Sequence, residues 1–115
     1  MIQNIGCDIL NINHFQEIFN KFPSFLNKVY SPNEIIEYHQ RNDDINYLAS
    51  RFCAKEAIFK ALKSYDYDFN TIEILNDSDK SPIVNFLNGH KTNVMLSISY
   101  EKDYVLAFAI ISTIT

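Results

Sequence analysis

The stretch NYLASRFCAKEAIFKALKS, residues 46–64, decides how the rest of the chain must be arranged. It holds no glycine or proline, and its apolar residues recur at helical spacing, so it predicts one long helix capped by Asp44 or Asn46. At about 100° per residue, Leu48, Arg51, Phe52, Lys55, Ile58, Phe59 and Leu62 share one side, and Ala54, Ala57 and Ala61 share another. A helix apolar on two sides is packed from two directions. One stripe is left over, formed by Glu56, Lys60 and Lys63.

Upstream of this helix, IQNIGCDIL (Ile2–Leu10) alternates loosely and predicts a short strand that places Asp8 near its end. Ile12, Phe15, Ile18, Phe19 and Phe22 then recur at helical spacing, with Asn13 as cap, Gln16 three residues on and Pro23 as the stop. Phe25, Leu26 and Val29 fit a short helical turn. The sequence SPNE at residues 31–34 offers a serine cap, proline at the first helical position and glutamate at the third, so a further helix should run to about Arg41. Downstream the period changes to two. TIEIL, PIVNFLN, VMLSISY and YVLAFAIIST read as four strands in a meander, the last apolar on both faces and therefore central in a sheet. One strand, three helices and then antiparallel strands make an α+β fold, expected as one domain over residues 1–115.

Composition limits what such a domain can do. Fourteen acidic against ten basic side chains give a formal charge of -4, which argues against a general polyanion or nucleic-acid binder and requires any phosphate to be gripped locally. Cys7 and Cys53 lie in apolar runs without metal-ligand spacing, so two buried free thiols are expected. The opening MIQNIGCDIL has no basic leader, and no 18-residue apolar run exists, so a soluble, cytoplasmic protein without membrane partners is expected.

The stripe on the long helix has two readings. Glu56 and Lys60 can be a solvated pair worth a few tenths (~0.3–0.5) of a kcal/mol. Alternatively, the carboxylate takes a hard cation while the lysines counter phosphate charge, which requires a second acid. Asp8, near a strand end, is the candidate.

Three blocks in order, NIGCDIL at residues 4–10, RFCAKEAIFKAL at 51–62 and SISYEKDYVLAFAI at 97–110, resemble the holo-acyl-carrier-protein synthases, the small single-domain 4'-phosphopantetheinyl transferases. The resemblance spans essentially the whole chain. It implies transfer of phosphopantetheine from coenzyme A to a serine of an acyl carrier protein, as in fatty acid biosynthesis, with release of 3',5'-ADP. It also implies Mg2+ on Asp8 and Glu56, Lys60 against the pyrophosphate, and a coenzyme pocket shaped by Arg51, Lys63, Ser97, Ser99 and Tyr100. A homotrimer with sites between subunits is implied as well.

Four positions depart from the family pattern. Tyr100 stands where the family has histidine, and His14 where arginine is common, in a first helix with little basic charge. Lys63-Ser64-Tyr65 replaces a glycine-rich turn, and Asp79-Lys80-Ser81-Pro82 lacks the glycine of Gly-Lys-Pro. Two outcomes stay open on these residues: an active transferase in which Glu101 or a bound water handles the proton, or a homologue that keeps the coenzyme pocket as a binding protein. His39, His90 and the acidic pairs read as surface and turn chemistry. Tyr65, Tyr67 and Phe69 read as core residues, with a pantetheine channel as the alternative.

Overall fold

The computed structural model describes residues 1–63 and 67–112. Strand β1 (Ile2–Asn11) runs without a loop into helix α1 (Ile12–Lys21), followed by α2 (Phe25–Val29), α3 (Pro32–Gln40) and α4 (Ile45–Leu62). A single 3-10 turn at Phe69–Thr71 leads into strands β2 (Ile72–Asn76), β3 (Pro82–Phe86), β4 (Asn93–Glu101) and β5 (Tyr104–Ser112). The fold is α+β, and α2 adds a short fourth helix to the three expected.

Strand β5 is central, paired antiparallel with β1 on one side and β4 on the other. Helix α4 lies across one face of this sheet. Ala54, Ala57 and Ala61 are fully buried there, together with Val105, Ala107 and Ala109 of β5. Small side chains on both partners allow the helix and sheet to come close. Gly6 carries the approach furthest: a Cβ at this position would stand 2.0 Å from the Ala57 carbonyl oxygen and 2.8 Å from the Ala61 nitrogen.

The meander is broken. Strands β2 and β3 form a separate two-stranded sheet, and side chains rather than a third strand satisfy the other edge of β2. Lys55 donates to the Ile72 carbonyl, Arg51 to the Ile74 carbonyl, and the Ile74 N–H donates to Glu34. Unpaired edge groups would otherwise be buried without partners. Lys55 and Glu34 are themselves fully buried and paired at 2.7 Å. Burial pushes the Glu34 carboxyl up and the Lys55 ammonium down, and each opposes that push on the other. Ser31 closes the network, capping α3 in a full capping box and donating its hydroxyl to Glu73.

Two local expectations are corrected. The cap of α1 is Asn11, whose side chain accepts from the His14 N–H at 3.0 Å, and not Asn13, because β1 passes into the helix with no intervening loop. Cys7 is exposed rather than buried, since it lies on the sheet face away from α4. Cys53 is buried as expected, and Asp44 rather than Asn46 caps α4. No helix among the described residues is long and apolar enough to cross a membrane.

Candidate active site

Because Gly6 lets β1 press onto α4, the residue two positions along the strand reaches the polar stripe of the helix. The Lys60 ammonium donates to Asp8 Oδ1 at 3.0 Å and to the Cys7 carbonyl at 3.1 Å. Glu56, one helical turn before Lys60, is half-buried beside both. Burial, and then the Asp8 charge, push the Glu56 carboxyl up, and Lys60 opposes them. The hydrogen bond to Asp8 holds the Lys60 ammonium above its ordinary value. Beneath this group, the Cys53 thiol donates to the Asp8 carbonyl at 3.3 Å. Burial and the Asp8 charge push that thiol up to about 12, so Cys53 stays a neutral donor that ties the strand to the helix.

A second polar site lies at the opposite edge of the sheet. A cavity of about 600 Å³ is lined by Arg41, Arg51, Asn76, Lys80 and Tyr100. An adjoining one of about 330 Å³ shares Arg41, Arg51 and Tyr100 and adds Lys102 and Asp44. Arg51 is buried and fixed by donation to Ser50 Oγ and to Asn76 Oδ1 at 2.8 Å, and its guanidinium lies 4.2 Å from the Tyr47 ring centroid. Arg41 ends α3 and covers the same ring at 5.1 Å. Arg41, Arg51, Lys80 and Lys102 outnumber the carboxylates beside them, Asp44 in the lining and Glu37 at 3.8 Å from Arg51, which makes this cleft an anion site.

Asp8, Glu56 and Lys60 thus come together, whereas Arg51 and Tyr100 belong to the other group. Arg51 and Lys60 are nine residues apart, which at about 100° per residue places them on opposite sides of α4. Ser97 and Ser99 lie opposite Phe108 and Leu106 on the outer sheet face, so within one chain they belong to neither group. Tyr100, one step out of phase with them, lines the cleft. Lys63 caps α4 in the left-handed conformation, φ 54°, and is exposed. Phe69 packs on Phe52 and Phe59, and Tyr67 on Phe86 and His90. Tyr65 lies outside the described residues. Arg41 and Lys102 carry no sequence signal beyond their charge. Lys80 does, as the lysine of the altered Gly-Lys-Pro turn.

Two adjacent carboxylates suit a hard divalent cation. Among the described residues no group of three or more His, Cys, Asp or Glu could hold a metal, so other oxygens must complete its shell. Magnesium, which keeps waters and takes phosphate oxygens, fits such a donor set.

A sequence profile of the 4'-phosphopantetheinyl transferase superfamily matches residues 4–109. A holo-[acyl-carrier-protein] synthase of Thermodesulfovibrio yellowstonii is 38% identical over 97% of this chain and 100% of its own length. The crystal structure of holo-[acyl-carrier-protein] synthase from Neisseria meningitidis superposes with a TM-score of 0.87 at 32% identity, covering 98% of this chain and 100% of that one. A holo-(acyl-carrier-protein) synthase from Bacillus anthracis, solved in complex with CoA (3',5'-ADP), gives 0.83 at 30% identity and 96% of each chain.

Proposed function

The chain belongs to the holo-acyl-carrier-protein synthase family of the 4'-phosphopantetheinyl transferase superfamily, and on that premise we propose a Mg2+-dependent transfer from coenzyme A to a serine of an apo acyl carrier protein. The serine oxygen forms a bond to the β-phosphorus of the coenzyme, the bridging P–O bond breaks, and 3',5'-ADP leaves. One observation supports this most strongly: Asp8, Glu56 and Lys60, from two distant sequence blocks, converge on a single point. A divalent cation held by Asp8 and Glu56 would supply charge neutralisation at the diphosphate. Lys60 reaches the same phosphates from one turn along the helix, and the basic cleft, with Arg51, Lys80 and Tyr100, takes the anionic nucleotide end.

The two half-sites face opposite ways, so a complete site draws one half from each of two copies. Joining the β1 edge of one copy to the β4 edge of the next is a head-to-tail contact, which closes into a ring when the rotation between copies is a whole fraction of a turn, and the family resemblance implies three copies, a homotrimer. The outer sheet face supports this reading. Ile5, Ile9, Met95, Tyr104, Leu106 and Phe108 are all exposed there and would be covered by a neighbour. Ser97, Ser99 and Glu101 share that face, so in such an assembly they would stand at the subunit boundary, where Glu101 would accept the serine proton.

The direct test incubates the protein with Mg2+, coenzyme A and an apo carrier and weighs the carrier by mass spectrometry. A gain of one phosphopantetheine that Asp8→Ala abolishes is expected. An unmodified carrier with coenzyme binding intact would instead favour a coenzyme-binding homologue.

A further inference from the structure

Asp8 already holds a cation. The Lys60 ammonium sits 3.0 Å from Asp8 Oδ1 and 3.1 Å from the Cys7 carbonyl, on a side chain that is half-exposed, against a carboxylate that is largely covered. A long lysine stem with one face in water can leave such a contact, whereas Asp8 on its paired strand cannot follow it. Resting on the metal reading above, we infer that Lys60 is the exchangeable counter-cation of Asp8, so that the divalent ion and the coenzyme diphosphate bind together and not one after the other.

A metal arriving alone must displace Lys60 from Asp8 and leave its ammonium with the Cys7 carbonyl and water but no counter-charge from that carboxylate. The two carboxylates then provide too few ligands to repay that displacement, and no third acidic, histidine or cysteine side chain stands with them among the described residues. A diphosphate removes both obstacles, because its oxygens complete the metal shell and accept the released ammonium. Each ligand therefore raises the affinity of the other by the same factor.

The test measures Mn2+ binding to the full chain by loss of the free-ion electron paramagnetic resonance signal, with and without coenzyme A and with no carrier present. For the natural protein, coenzyme A should tighten Mn2+ binding by about tenfold or more, within the usual range of site coupling. Without coenzyme A, Lys60→Met should bind Mn2+ about tenfold more tightly than the natural protein, and coenzyme A should then help it less. Lys60→Arg, which keeps the cation, should behave as the natural protein. Equal Mn2+ affinities for Lys60→Met and the natural protein, both without coenzyme, would overturn the exchange while leaving the carboxylate site standing. Absence of Mn2+ binding in every form, coenzyme A included, would overturn both the exchange and the metal reading.

Discussion

At the β1 edge of the sheet the charged side chains are two carboxylates and one lysine, Asp8, Glu56 and Lys60; at the β4 edge they are Arg41, Arg51, Lys80 and Lys102 against Asp44 and Glu37. The two groups differ in how they are held as much as in sign. The acidic group stands on a paired strand and a long helix locked together by Gly6 and three alanines. Most of the basic group stands where regular structure ends. Arg41 is the C-cap of α3, and Lys80 and Lys102 occupy turns in the left-handed conformation, φ 64° and 53°. That conformation costs a residue with a side chain about 1 kcal/mol. A metal needs ligands fixed to a fraction of an ångström, whereas an anion is captured by summed charge. The rigid edge therefore suits the cation, and the looser edge suits the nucleotide phosphates.

The largest effect is expected at the acidic edge. Asp8→Asn should lower the transfer rate by about a thousandfold, because several kcal/mol of charge stabilisation at the diphosphate depend on that carboxylate. Coenzyme binding should weaken only by the lost metal coupling, about tenfold as read by calorimetry, because the basic edge still holds the nucleotide end. Gly6→Ala tests the rigidity directly. With its Cβ against the Ala57 carbonyl the strand must lift, costing about 1–3 kcal/mol in denaturant unfolding and lowering activity as Asp8 moves away. If Gly6→Ala were as stable as the natural protein, the close packing of β1 on α4 would be wrong.

Arg41→Glu attacks the other edge. It should raise the KM for coenzyme A about tenfold, equivalent to about 1.4 kcal/mol, with a much smaller change in kcat. The smallest effect is expected from Lys102→Gly, which relieves the left-handed strain and should raise stability by about 1 kcal/mol or less while weakening coenzyme binding. A gain in both stability and coenzyme affinity would show that Lys102 is not part of the anion site.

The regular half of the molecule was readable because its signals are local. The capping box at Ser31, the alternation of the strands and the alanine face of α4 are each set by neighbouring residues, whereas the burial and pairing of Lys55 with Glu34 appear only in the folded chain. Glu56 and Lys60 share a stripe by local spacing as well. What sequence did not disclose depends on partners far along the chain. Nothing in TIEIL tells a strand completed by another strand from one completed by Lys55, Arg51 and Glu34. Cys7 shares its strand face with Ile5 and Ile9, an apolar set that reads as a buried face although it is the one turned away from α4. The basic cleft was hidden because Arg41, Lys80 and Lys102 come from three separate turns and cap positions, and only folding gathers them.

The division of one site between two copies is tested most directly by mixing two defective proteins. Asp8→Asn lacks the acidic half and Arg41→Glu the basic half, so each alone should be severely impaired at low coenzyme A. After subunit exchange of an equal mixture, one neighbour pair in four combines an intact acidic edge with an intact basic edge, and about a quarter of the natural rate should return. If mixing restores nothing although subunits exchange, both halves act within a single chain and the shared site is wrong.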